Sequence, residues 1–293
     1  MTDNEAYKIV RAFDENRLTS DDDIFMFTEA MNYLIDKHHN PKDMLYLGGY
    51  YYEQKNFDLA LKYYEMAASY DFDPAYECLG YIWYYGRTGT RDYKKAFEYF
   101  SKLMAKGDLV ASYKVADMYK NGYFVEKSYD KYVEIVESLY PKVIKCHDVF
   151  DPIPEVFTRL ARIRKGQENY NEAIDLYLKA KRVLAIRIKY NAFFGNLNIM
   201  KWLVEDLYTM IEFDEVDFDL FDLYFLLTTP HEISFYYDDI MHNIKSEAEG
   251  NECHICFDGT WYRTIDDFFA KAMIDNQKLT NLNEELYDFE VVR

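Results

Sequence analysis

The sequence predicts a mainly α-helical protein, a solenoid of stacked helical hairpins followed by a small C-terminal α+β module. One observation is a recurring spacing. Leu47-Gly48-x-x-Tyr51 followed by Ala60, Tyr64 and Ala67 is answered by Leu79-Gly80-x-x-Trp83 followed by Ala96 and Phe100. Further copies read Ala116-x-x-Tyr119 with Gly122, and Leu160-Ala161 followed by Ala173, Tyr177 and Ala180. Repetition at about 32–36 residues means that each unit buries its apolar face on its neighbours, which predicts an elongated stack with a groove. A second observation is composition: 49% hydrophobic residues with only six prolines and eleven glycines exclude a disordered chain and favour helices. The third is a change of texture after Thr228-Thr229-Pro230, where short alternating segments replace the helical period.

The elements follow in order. Residues 1–40 predict a capping hairpin. Its first helix spans about residues 4–16 and puts Ala6, Ile9, Val10 and Phe13 on one stripe. Thr19 and Ser20 offer a cap and Asp21-Asp22-Asp23 complement the dipole of a second helix carrying Phe25, Phe27, Ala30, Met31, Leu34 and Ile35. Lys37-His38-His39-Asn40 and then Pro41 end it. The repeats occupy residues 41–190 as helix pairs 42–54 and 57–70, 74–86 and 92–106, 108–121 and 128–146, 154–167 and 170–189. Gly48, Gly80 and Ala116 let one helix approach its partner, and Ala60, Ala96 and Ala173 answer from the other side. A decayed closing hairpin is expected over 191–228, with helices near 197–211 and 215–227 after Asn191-Ala-Phe-Phe-Gly195-Asn196. These segments make 1–228 a helical-repeat domain.

Residues 231–293 form the module: a strand at 233–237, a helix at 238–249, and two strands flanking Asp258-Gly259, the preferred chemistry of a two-residue hairpin turn. A helix capped by Thr264 and running to Met273, and a closing strand at 287–292, complete it.

The repeats resemble the Sel-one-like repeat family, a branch of the tetratricopeptide superfamily. The best copy is Cys78-Leu79-Gly80 through Gly86, Lys95-Ala96, Tyr99-Phe100, Gly107 and Ala111, with the lengthened loop between its helices that marks the family. The units opening at Pro41 and Pro154 lack that loop and look like ordinary tetratricopeptide repeats. The resemblance covers roughly residues 41–190 and implies binding of proteins or peptides, with no catalytic residue carried over. Secreted members hold each hairpin with a cysteine pair, a pattern this sequence does not show.

Charge narrows the partner. A formal net charge of −18 repels phosphate backbones, so nucleic acid is not expected and a cationic or neutral protein is. The acidic start at Met1 leads into no apolar core, so no secretory signal is expected. No apolar run approaches the roughly 18 residues of a membrane span. Four cysteines, with Cys78 and Cys146 isolated, do not read as a disulfide framework, and a cytoplasmic location follows. Charge is also uneven. Residues 159–201 hold ten Lys or Arg against three Asp or Glu, while 202–244 hold eleven Asp or Glu and no Lys or Arg. Either Arg182, Arg187 and Lys189 pair internally with Glu212, Asp214 and Asp217, or the basic helices dock an anionic partner through arginine forks.

The chemistry-bearing motifs are few. Cys253-x-x-Cys256 has no second ligand cluster beside His242 and His254, and on a strand its thiols point to opposite faces, so inert cysteines are expected. The pair His38-His39 suits a helix end without a metal. Neither a nucleophile elbow nor a phosphate-cradling loop is present, so no enzyme, cofactor or metal is expected. The family geometry points Tyr52, Glu77, Tyr81, Tyr84, Tyr113, Asp117, Lys120, Arg162 and Lys165 into the groove, a composition suited to binding hot spots. The function expected is a non-catalytic scaffold that binds a protein or peptide segment there. Two alternatives stay open: a ligand-sensing or enzymatic C-terminal module built around Trp261, Tyr262 and Arg263, and a bacterial immunity or effector-associated protein whose acidity neutralises a basic partner.

Overall fold

The structure is a computed structural model, and it describes all residues except 16, 18, 19, 191–193, 213–217, 250, 251 and 293. The chain divides into two compact units, Met1–Ile135 and Val136–Arg293.

The first unit is a succession of helices, each packed on the next from α1 to α7: α1 (Asp3–Asp14), α2 (Asp21–His38), α3 (Pro41–Glu53), α4 (Phe57–Ala68), α5 (Asp73–Tyr85), α6 (Tyr93–Ala105) and α7 (Leu109–Asn121); the start of α8 (Tyr129–Val143) follows. Local chemistry sets the ends. Thr2 and Ser20 make reciprocal capping boxes with Glu5 and Asp23, and Asn40, Asn56, Asp92 and Asp108 cap α3, α4, α6 and α7. Gly86 and Gly122 close α5 and α7 in the left-handed conformation, at φ 66° and 72°, where a Cβ would be strained. The buried residues recur at the repeat positions: Ala60, Ala96 and Ala116 are fully buried, and Tyr64, Leu79, Trp83 and Phe100 form one continuous cluster with Ala60 and Ala96. The small residues are placed where contact is closest, as the spacing requires. Phe25 departs from expectation, being 65% exposed. It lies two residues from Phe27, nearly half a helical turn off the stripe of Phe27, Ala30, Met31, Leu34 and Ile35 that faces the core.

In the second unit α9 (Ile153–Gly166) packs on α10 (Tyr170–Tyr190), which also packs on α11 (Phe194–Leu207). The helix expected over 215–227 is not continuous: a 3₁₀ turn at Leu220–Asp222 leads into the single turn α12 (Leu223–Leu226), while residues 213–217 lie outside the described set. Asp219 caps that turn through the Phe221 amide, and the Asp222 carboxylate is turned inward to Lys181, which holds the segment in a short coil.

An antiparallel five-stranded sheet follows, in the order β4-β3-β2-β1-β7. Its strands are β1 (Glu232–Tyr237), β2 (Ile240–Glu249), β3 (Glu252–Phe257), β4 (Thr260–Tyr262) and β7 (Tyr287–Val292). Thr264 caps α13 (Ile265–Lys271), and a small ribbon of β5 (Met273–Ile274) and β6 (Gln277–Lys278) precedes β7. The helix expected over 238–249 is therefore strand β2. Ile240 and Ile244 are four apart, a spacing shared by one helix face and one strand face, so periodicity did not separate the two. Tertiary pairing does: Ile244 faces Ile233 and Phe257, His242 faces Phe235, and both Asp238 and Asp239 take left-handed φ values of 48° and 60° to turn the hairpin. Asp258 and Gly259 turn the next hairpin at 45° and 84°, as their chemistry predicts. The sheet and α13 do not stand apart from the helices of this unit, because Phe269 stacks on Phe221 and Tyr224 with ring centroids 5.9 Å and 4.0 Å away.

Candidate functional site

The tyrosines of α5 and α7 are placed by helical geometry. On α5 the residues Ala75, Tyr76, Leu79, Gly80, Ile82 and Trp83 are buried, so the flanking stripe of Glu77, Tyr81 and Tyr84 lies half-buried at the edge of the core and Tyr85 is exposed. On α7 the buried Tyr113 is followed by half-buried Lys114, Asp117 and Lys120.

These side chains converge. Tyr81 and Tyr85 are parallel at 6.0 Å, and Tyr84 meets Tyr85 edge-on at 5.1 Å. Lys114 Nζ sits 5.2 Å from the Tyr81 centroid, 5.4 Å from Tyr84, 5.6 Å from Tyr85 and 5.4 Å from Tyr113, and donates a hydrogen bond to the Tyr85 hydroxyl at 3.3 Å. Tyr84 continues into Tyr93 and Tyr123, which stack at 4.3 Å. The Arg87 guanidinium lies over Tyr85 at 5.3 Å and over Tyr52 at 5.9 Å, and so joins Tyr52 to the same surface. Arg87 also borders an open cleft of about 540 Å³ lined by Gln54–Asp58 and Arg87–Gly89. The Lys120 ammonium lies 5.1 Å from the Tyr132 ring.

Burial governs the ionisation of this face. It pushes the Tyr81 hydroxyl far above the ordinary tyrosine value, reinforced by Tyr113, and that of Tyr84 likewise, reinforced by Asp117. Burial also raises the Glu77 carboxyl, with Asp108 adding to the effect and Lys114 opposing it. The rings thus stay neutral and electron-rich while a half-buried carboxyl stands beside them. Sequence reasoning named Tyr52, Glu77, Tyr81, Tyr84, Tyr113 and Asp117, but missed Tyr85, Arg87 and Lys114. Tyr85 lies four residues after Tyr81, a spacing that could have revealed it; Lys114 is fixed only by how α7 packs.

Arg162 and Lys165 belong to the second unit and are engaged there. Arg162 Nε donates to Asp206 at 2.6 Å, Tyr177 donates to the same carboxylate at 3.1 Å, and Lys165 donates to the Thr209 hydroxyl at 2.7 Å. The basic segment pairs with acidic neighbours, but by other partners than those expected. Arg187 donates to Glu155 and to the carbonyls of Val149 and Asp151, Lys189 reaches Glu284 at 3.6 Å, and Lys181 is buried between Asp219 and Asp222. Asp214 and Asp217 lie outside the described residues.

The remaining candidates have local explanations. Cys253 and Cys256 lie on β3 opposite Ala248 and Lys245, on the two faces of the sheet. Burial pushes the Cys78 thiol up to about 11, away from reactivity. Trp261 is exposed on β4, whereas Tyr262 turns to the other face and packs edge-on against Phe268 at 5.7 Å. His38 reaches Asp3 at 3.3 Å and His39 forms the left-handed cap of α2. Among the described residues no three His, Cys, Asp or Glu side chains form a group suited to a metal, and no helix is long and apolar enough to cross a membrane.

Comparison with known proteins places the repeats. The Sel1 repeat model matches residues 44–69, 78–108, 109–131 and 160–182. One similar solved structure is a protective antigen present in uropathogenic Escherichia coli strains displaying an SLR fold, 18% identical, covering 61% of this chain and 36% of that one at a TM-score of 0.46. Another is a Sel1 repeat protein from Oxalobacter formigenes, 16% identical, covering 69% of this chain and 84% of that one, also at 0.46. The matched region spans about a third of the first structure's length. No curated protein matches. Sel1 repeats generally act as protein-interaction scaffolds and are typically not catalytic. Four Sel1 repeats are thus set in order between residues 44 and 182, the pattern of Sel1-like repeat proteins.

Proposed function

We propose that the protein is a non-catalytic scaffold that binds a protein or peptide segment on the tyrosine face of α5 and α7, with Tyr52, Glu77, Tyr81, Tyr84, Tyr113, Asp117 and Lys120 as its binding set. The observation that carries the reading is the convergence of Tyr81, Tyr84 and Tyr85 on Lys114, with Arg87 extending the surface to Tyr52. Half-buried tyrosines held by ring contacts offer large contact area with little side-chain entropy left to lose, which suits them as anchors. Arg162 and Lys165, in the second unit, are held by Asp206 and Thr209. A reducing compartment fits the free Cys78, Cys146, Cys253 and Cys256.

The test compares capture of the native partner by three forms of the full chain: unaltered, Tyr81→Ala with Tyr84→Ala, and Trp261→Ala. The tyrosine pair is expected to weaken capture by about 2 kcal/mol or more, the usual threshold for a hot spot, and the Trp261 change to leave it intact. A partner lost with Trp261→Ala and kept with the tyrosine pair would move the function to the sheet.

A further inference from the structure

Resting on the docking face just described, we infer that Tyr81, Tyr84, Tyr85 and Tyr113 form a cage for a partner's cationic side chain, and that Lys114 fills it as the protein's own stand-in. Four ring centroids lie within 5.2–5.6 Å of a single ammonium nitrogen, and the negative faces of aromatic rings attract a cation at such range. Two nearby carboxylates share that preference, although the Arg87 guanidinium, 5.3 Å from the Tyr85 centroid, opposes it. Glu77, one turn before Tyr81, is close enough to feel Lys114, and Asp117 is close enough to raise the Tyr84 hydroxyl.

Two of the walls are packed from behind, and the occupant is not. Tyr81 is held edge-on against Phe100 at 5.6 Å, and Tyr84 is held by Phe100, Tyr93 and Tyr123 at 6.3, 5.8 and 6.0 Å. Lys114 is half-buried on a flexible stem, forms none of the ion pairs found among the described residues, and keeps one hydrogen bond, to the Tyr85 hydroxyl. Rotation of its stem would return the ammonium to water while Phe100, Tyr93 and Tyr123 still hold Tyr81 and Tyr84. A primary ammonium is strongly hydrated and leaves readily, whereas a guanidinium or a methylated ammonium is more weakly hydrated and loses less on entering between rings. The net charge of −18 draws basic segments toward the chain. The occupant is therefore a weakly hydrated cationic side chain, an arginine or a methylated lysine, on a basic segment of the partner. Lys114 tunes its affinity by competing for the same space.

The test uses the full chain with isotope-labelled tyrosine rings and tetramethylammonium as the probe, titrated at constant ionic strength against sodium. In Lys114→Ala the resonances of Tyr81, Tyr84, Tyr85 and Tyr113 are expected to move together and saturate, at a midpoint about tenfold below that of the unaltered protein. Lys114→Ser should behave alike, and adding Glu77→Gln should raise the midpoint several-fold. Equal midpoints with and without Lys114, or shifts no larger in these four rings than in tyrosines elsewhere, would overturn the cage. A partner lost by the tyrosine pair, together with no probe binding in either Lys114 variant, refutes the cage and leaves the docking face standing. A partner kept by the tyrosine pair refutes the docking face on which the cage's occupant depends.

Discussion

Adjacent glycines on α3 should respond to the same substitution with opposite signs. A Cβ built at Gly48 lies 2.6 Å from both Cδ1 and Cε1 of Tyr64 and 3.4 Å from the Ala60 carbonyl oxygen, whereas one at Gly49 meets nothing nearer than the Tyr64 hydroxyl at 4.0 Å. Ordinary carbon contacts need about 3.5–4.0 Å, so Gly48→Ala forces the Tyr64 ring to retreat by about 1 Å. That ring is buried in the same cluster as Ala60 and Leu79, whose side chains resist its retreat. Overpacking of this kind costs about 1–3 kcal/mol, against a gain of about 1 kcal/mol from replacing glycine by alanine inside a helix. The net expectation for Gly48→Ala is a loss of up to about 2 kcal/mol, and for Gly49→Ala a gain of about 0.5–1 kcal/mol. Urea unfolding of the two variants beside the unaltered protein measures both. If Gly48→Ala were as stabilising as Gly49→Ala, the close approach of α3 to α4 would be wrong and the repeat register with it.

Gly80→Leu should cost more than Gly48→Ala, because even its Cβ falls 2.5 Å from Cε1 of the fully buried Phe100, and thermal melts rank the two. Lys181→Met strips the ammonium from Asp219 and Asp222, 3.1 Å and 2.6 Å away, and should destabilise by about 3–5 kcal/mol, the loss typical of breaking a buried pair; unchanged chemical unfolding would contradict that. Burial, aided by Asp219 and opposed by Lys181, raises the Asp222 carboxyl to about 6. The folded state then holds the Asp222 proton more tightly than the unfolded chain, so this group's contribution is present at low pH and is lost as pH rises from the ordinary aspartate range through about 6. The stability difference between the unaltered protein and Asp222→Asn should therefore shift against the unaltered protein across that window, and a difference independent of pH would exclude the effect. Phe269→Ala removes the ring stacked on Tyr224 at 4.0 Å and should cost about 3–5 kcal/mol, read by melting of the full chain.

The sequence by itself determined the helices of the repeats, their caps and their small-residue contacts. Each is a local signal: Thr2, Ser20, Asn40 and Asp108 cap with their own side chains, and Gly48 and Gly80 recur at one place in successive hairpins. It also determined the Asp258-Gly259 turn and most of the tyrosine face, since residues three or four apart on one helix necessarily share a side. Other features were set only by contacts between distant segments. Strand β2 is a strand because Ile233 and Phe257 flank Ile244, an arrangement invisible to a four-residue period common to both structures. The basic segment's partners were chosen by packing: Arg187 reaches Glu155, and Lys181 reaches Asp222, across 32 and 41 residues of chain. Lys114 became the centre of the tyrosine cluster for the same reason. Its neighbours in sequence give it one ring, Tyr113, and only the docking of α7 near α5 supplies the other three, so the local code could name the walls of the site but not what stands between them.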